Sequence, residues 1–160
     1  MKDKLMLKRL LPYVIFVLGV IAGATFFLPA VSYEGETFTG IDIALGKELI
    51  NVDFLGIEDV TEAVLPMNMY AIVPYAAPIF AGIFTLVFKR GNTFALAMFV
   101  LSGALFFMIG DYVDVEVTIL GESELYSVEW NIAYGALIGA LASIMAAIGE
   151  MLHISMSDKQ

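Results

Sequence analysis

Hydrophobic positions fall into four long, nearly unbroken runs, at about residues 10–31, 67–88, 94–110 and 131–151. As helices, each is long enough, or nearly so, to cross a hydrocarbon layer of about 30 Å. The third run is the shortest and is expected to stand upright or to extend past Gly110. Ionisable side chains are confined to the ends of the runs. The link Lys89-Arg90-Gly91-Asn92-Thr93 between the second and third runs is short. Gly91 can end one helix in a left-handed conformation, and Asn92 or Thr93 can cap the next, which predicts a tight antiparallel pair of helices.

The period changes between the runs. Val113, Val115, Val117 and Ile119 alternate with Asp114, Glu116 and Thr118, the signature of a half-buried strand. Gly121-Glu122-Ser123-Glu124 reads as a four-residue turn, and Tyr126, Val128 and Trp130 alternate with Ser127 and Glu129 on the return. The result is a β-hairpin with one apolar and one acidic face. A lone hairpin is marginal in water, so this one is expected to pack on the loop at 32–66 and build a small β-rich cap. That loop contains an alternating stretch, Glu36-Thr37-Phe38-Thr39, and a glycine-bounded short helix at 40–46. Asp59-Val60-Thr61-Glu62 has capping-box spacing, and Pro66 closes the turn that follows. The expected fold class is an all-α membrane bundle: four transmembrane helices and a small extracellular β-rich cap, as one domain over residues 1–160.

Composition sharpens this picture. The chain has 160 residues, 60% of them hydrophobic, and a mean hydropathy of +0.87. A soluble domain this short cannot hide so many apolar side chains, so lipid is the expected solvent for the excess. Charge then sets the orientation. Lys2, Lys4, Lys8 and Arg9 precede the first run, Lys89 and Arg90 fill the tight turn, and Lys159 follows the last run, with Lys47 the exception. Acids crowd the segments 33–66 and 111–130 instead. The positive-inside rule therefore places both termini in the cytoplasm and both longer loops outside. The net charge of −9 argues against a nucleic-acid partner. The apolar run at 10–28 exceeds the roughly 7–15 residues of a secretory leader, so the first span is expected to be retained. Without cysteine, neither disulfides nor thiol chemistry is available.

Candidate chemistry is sparse. No nucleophile elbow, zinc motif or phosphate loop is present, so neither an enzyme nor a cofactor or metal site is expected. Asp111, Asp114 and Glu116 lie close in sequence but match no EF-hand spacing, and His153 is the sole histidine. Coupled transporters need ionisable groups at depth, which argues against that class. Small residues recur every fourth position: Gly19 and Gly23 in the first span, then Gly135, Gly139, Ser143 and Ala147 in the fourth. Such lines allow close helix contact, either within the bundle or with a partner helix. Pro74 and Pro78 make the second span a fixed kink or a hinge. Tyr13, Phe26, Phe27, Tyr70, Tyr75, Tyr112, Trp130 and Tyr134 lie toward span ends, as interfacial anchors do.

The order of helix, long β-rich loop, helix, tight turn, helix, shorter loop, helix resembles the claudin and peripheral-myelin-protein group over the whole chain. That group's Trp-Gly-Leu-Trp signature and paired cysteines are missing here, so its barrier roles do not carry over. Leu28-Pro29-Ala30-Val31-Ser32, followed by Phe38-Thr39-Gly40-Ile41-Asp42, is similar to a pattern in small prokaryotic four-helix membrane proteins of no assigned activity. That resemblance implies the plasma membrane of a bacterium or archaeon. The expected role is a non-enzymatic accessory or structural subunit of a larger membrane complex. Its expected partners are the lipid bilayer and either a membrane protein or a second copy. The alternative is a small channel or uncoupled transporter acting as an oligomer.

Overall fold

Each run holds a helix whose limits follow from local chemistry. The computed structural model describes residues 2–54, 57–88, 91–119 and 121–157. Helix α1 is Lys2–Ala24 and runs on through a 3-10 turn at Thr25–Phe27. Leu28 precedes a proline and is therefore extended, with φ −101° and ψ 158°. Strand β1, Pro29–Tyr33, starts there. The first span expected over 10–31 thus needs correction at its far end, where residues 29–31 are strand; the helix itself reaches back to Lys2.

The later helices are α3, Val73–Phe88, after a 3-10 turn at Met69–Ile72; α4, Thr93–Phe107; and α5, Tyr134–Ser157. (α2 is a short helix in the cap, below.) Three stretches are long and apolar enough to cross a membrane: Met6–Phe27, Met69–Phe88 and Tyr134–Ser157. The fourth, α4, is shorter and passes into a 3-10 turn at Ile109–Tyr112. Tyr112 Oη donates to the Leu105 carbonyl at 2.9 Å, satisfying one of the acceptors that a helix end leaves open. Asn92 caps α4 by accepting from the Phe94 N–H at 2.9 Å. Lys89, Arg90 and Lys159 lie outside the described residues.

The four long helices form a ring in the order α1, α3, α4, α5, with α5 closing on α1. Inside it, small residues such as Ala81, Ala95, Ala140 and Ala146 alternate with Phe99 and Phe106. Outside it, large apolar side chains are exposed, among them Val17, Phe80, Leu101, Ile138, Leu141 and Ile148. Polar contacts join α3, α4 and α5 in the ring's interior. Pro78 has no N–H to give the Pro74 carbonyl four residues back. Ser102 Oγ of α4 donates to that carbonyl at 2.7 Å and lies 3.0 Å from Ser143 Oγ of α5. All three residues are fully buried or nearly so.

At one end of the ring lie two antiparallel sheets. In the first, β1 pairs with β2, Glu36–Thr39, across the Glu34-Gly35 turn, and β7, Asn131–Ile132, joins the other edge of β1. This sheet ties the end of α1 to the start of α5. Helix α2, Gly40–Leu45, follows β2. The second sheet has the order β3-β4-β5-β6, with β3 at Lys47–Phe54, β4 at Ile57–Leu65, β5 at Asp114–Ile119 and β6 at Glu122–Ser127.

Three expectations about the cap are corrected. Asp59-Val60-Thr61-Glu62 caps no helix, because it lies in β4, whose backbone is hydrogen-bonded on both edges. The capping box sits instead at Thr39 and Asp42, which open α2. The hairpin turn holds two residues rather than four, since Ile119 pairs with Glu122, and Gly121 supplies a left-handed φ of 85°. The hairpin also does more than pack on the first loop: β5 hydrogen-bonds to β4 along its edge.

Ser102→Ala is expected to strand the Pro74 carbonyl and to lower stability in detergent by about 1–2 kcal/mol. Pro78→Ala restores an N–H four residues on, so the same serine change should cost clearly less in that background. Thermal unfolding of the four proteins in this cycle measures the coupling.

Candidate functional site

Two clusters gather side chains able to do chemistry, one at each end of the ring. The first surrounds Glu150, which is 0% exposed on α5. Its Oε1 accepts from the Asn92 N–H at 2.6 Å, and its Oε2 accepts from Thr85 Oγ1 at 2.9 Å. The carboxylate therefore sits at the N-terminus of α4, where the helix dipole favours an anion. His153, 1% exposed, places Nδ1 3.9 Å from Glu150 Oε2, beyond hydrogen-bond reach. Ser157 Oγ donates to the His153 carbonyl at 2.9 Å and accepts from the Gly91 N–H at 3.4 Å. Gly91 has no room for a Cβ, because the Ile154 backbone crosses directly over it. Lys8 Nζ reaches the Met156 carbonyl at 3.4 Å, so a cation meets the C-terminal end of α5. The cluster clamps the α3–α4 turn onto α5. Ionisable side chains are expected only at the ends of the runs; Glu150 does lie next to the end of the fourth run, but it is fully buried.

The second cluster is a cleft of about 470 Å³ between the two sheets. Tyr33, Phe38 and Trp130 form its aromatic wall. Trp130 makes T-shaped contacts with Phe38, centroids 5.4 Å apart, and with Tyr33, 5.8 Å apart. Trp130 Nε1 donates to the Val113 carbonyl at 2.7 Å, fixing the ring against the start of β5. Glu34, Glu36 and Glu48 line the same cleft, as does Lys47. Lys47 Nζ lies 5.3 Å from the Phe38 ring centroid and 3.6 Å from Asp42 Oδ1. Asp42 is itself held by Thr39, whose N–H donates to Asp42 Oδ2 at 2.8 Å. Among the described residues, Lys47–Asp42 is the ion pair of the cap; Glu34, Glu36 and Glu48 have none.

The residues singled out by spacing fall elsewhere. A Cβ on Gly19 would strike the Pro78 carbonyl, and one on Gly23 the Ile79 side chain, so both glycines set the approach of α1 to α3. A Cβ on Gly135 would lie 2.5 Å from the Pro29 carbonyl, and one on Gly139 2.5 Å from the Phe106 ring and 2.7 Å from Thr25 Oγ1. Ser143 meets Ser102, and Ala147 is buried with Leu11 and Ile15. Every member of the small-residue lines thus contacts the chain's own helices and turns. Pro74 and Pro78 are buried in α3, and the carbonyl that Pro78 leaves free is bonded to α4. Of the expected anchors, Tyr13, Phe27, Tyr70 and Tyr134 are exposed. Phe26, Tyr75, Tyr112 and Trp130 pack inward instead, and Tyr75 Oη is buried against Phe26 and Phe106 with no hydrogen-bond partner among the described residues. Asp111, Asp114 and Glu116 form no metal-holding group; among the described residues, none of three or more such side chains exists.

Sequence reasoning missed Glu150 and the cleft. A signal existed for the cleft: Lys47 is the one cation in an acidic loop, and Glu34-Gly35 parts two stretches rich in strand formers. No protein-family model, curated protein or solved structure matches this chain.

Gly139→Leu is expected to destabilise the protein by about 1–3 kcal/mol through overpacking against Phe106 and Thr25. Glu150→Ala should cost about 1–3 kcal/mol by stranding the Asn92 N–H, and Glu150→Gln clearly less, because an amide oxygen can still accept. Unfolding transitions in detergent check both.

Proposed function

We propose that this chain is a four-span membrane protein with cytoplasmic termini, acting as a non-enzymatic accessory subunit that engages its partner through the outer cap. The surface of the ring supports the membrane reading: large apolar side chains face out, while alanines, glycines and paired serines face in beside Phe99 and Phe106. Lipid is as apolar as leucine, so helix association there relies on close packing and interhelical hydrogen bonds, which the glycine contacts and the Ser102–Ser143 pair supply. At about 1.5 Å per residue, the 15 residues of α4 fall short of a full crossing, and the 3-10 turn that follows lengthens this span.

The observation that carries the accessory reading is where the small-residue lines end up. They are consumed inside the bundle, so they offer no stripe to a partner helix. The cap instead presents an open cleft with an aromatic wall and an acidic rim. Aromatic-walled clefts are the usual sites of specific recognition.

The cysteine-free sequence allows a direct test of topology. A cysteine introduced as Glu122→Cys should react with an impermeant maleimide on intact cells, and Ser157→Cys only after permeabilisation; the reverse pattern rejects the orientation. Mild extraction from native membranes should bring down a second membrane protein in fixed ratio. Recovery of the chain alone, or only with itself, rejects the accessory reading.

A further inference from the structure

We propose that the cleft between the two sheets recognises a lysine or arginine side chain on an extended segment of the partner. This inference rests on the accessory-subunit reading and specifies the partner's chemistry. The cleft's volume of about 470 Å³ suits one long side chain with its flanking backbone. Its walls combine two features that attract an organic cation together. The rings of Tyr33 and Trp130 line it and carry negative quadrupoles, and Glu34, Glu36 and Glu48 in the same lining supply full negative charge.

The cleft already holds one ammonium of its own. Lys47 sits over the Phe38 ring at 5.3 Å, while Asp42 draws it toward α2 at 3.6 Å. That arrangement leaves the three glutamates unneutralised among the described residues. An incoming cation would meet them together with the Trp130 and Tyr33 rings, and its aliphatic stem would lie along the apolar floor formed by Leu49 and Val128.

The turn at the mouth of the cleft carries a separate mark. Glu34 and Gly35 both have positive φ, 47° and 92°, and link paired residues Tyr33 and Glu36. Such a two-residue turn favours Asn-Gly, and glutamate in the left-handed region is strained. The chain places a carboxylate where the turn alone would favour asparagine. Glu34→Asn therefore separates folding from recognition: the hairpin should be as stable or more so, while the cleft loses charge.

Trp130 is the sole tryptophan and lines the cleft, so its fluorescence reports occupancy directly. The full chain in nanodiscs would be titrated with trilysine peptide, its triply Nε-acetylated form and tetramethylammonium. Trilysine should give a saturable change that weakens with salt, and the acetylated peptide none. Glu34→Asn combined with Glu36→Gln and Glu48→Gln should weaken binding roughly tenfold without lowering the unfolding temperature. Lys47→Met should tighten it by removing the resident cation. No saturable response, equal binding of the acetylated peptide, or tetramethylammonium binding as tightly as trilysine each overturns the proposal; the last result would make this a small-cation site. A native partner retained in full by Glu34→Asn, with no response to trilysine, removes the cleft assignment but not the accessory reading. A trilysine response without any co-purified partner removes the accessory reading and leaves the cleft's cation chemistry standing.

Discussion

The Pro74 carbonyl must find a donor, and the way it does so organises the bundle. Pro78 cannot supply an N–H, and the site is sealed from water by α1, α4 and α5. Ser102 supplies the donor from the next helix, and Ser143 supports it from the one after, so a defect in α3 becomes a contact among three helices. The same segment of α3 meets α1, where Gly19 admits the Pro78 carbonyl and Gly23 admits Ile79. A larger residue at either glycine would push α1 away and loosen the ring. Close glycine contacts and this relayed hydrogen bond thus join burial of Phe99 and Phe106 in holding the ring together.

The two ends of the ring are closed by different means. At one end a buried carboxylate, Glu150, accepts from the Asn92 N–H, where the α3–α4 turn enters α4, and from Thr85, so the tight turn is bonded to α5 rather than merely short. At the other end backbone pairing does the work. Strand β1 continues directly from α1 and takes β7 on one edge, which holds the end of α1 to the start of α5. Asn68 Nδ2 donates to the Tyr112 carbonyl at 2.8 Å and Trp130 Nε1 to the Val113 carbonyl, so the segments before α3 and before α5 both bond to the segment after α4. The cap is thereby bonded to segments next to all four long helices.

The helices were legible because a long apolar run has few other stable fates. The second hairpin was legible because strict alternation from Val113 to Ile119 names its own period. In the first loop, Glu36–Thr39 was legible as β2, but β3 and β4 were not. Residues 47–65 hold neighbouring apolar and acidic positions whose pattern fits a capping box as readily as a strand. Pairing with β5, more than 50 residues away in sequence, decides between them. The candidate site was less visible still. Phe38, Lys47 and Trp130 come from three separate segments of the chain, and no spacing rule links them.

By itself the sequence determined the number of long helices, the alternation of the second hairpin and the charge asymmetry of the two ends. These depend on local composition and period, which need no knowledge of neighbours. Only the tertiary structure decided which small residues face the chain's own backbone, which hydroxyl rescues the Pro74 carbonyl, that Glu150 is buried, and that an aromatic wall and an acidic rim share one cleft. Each of those depends on atoms brought together from distant positions, and the distance between two such residues in space is fixed by packing, not by their separation along the chain.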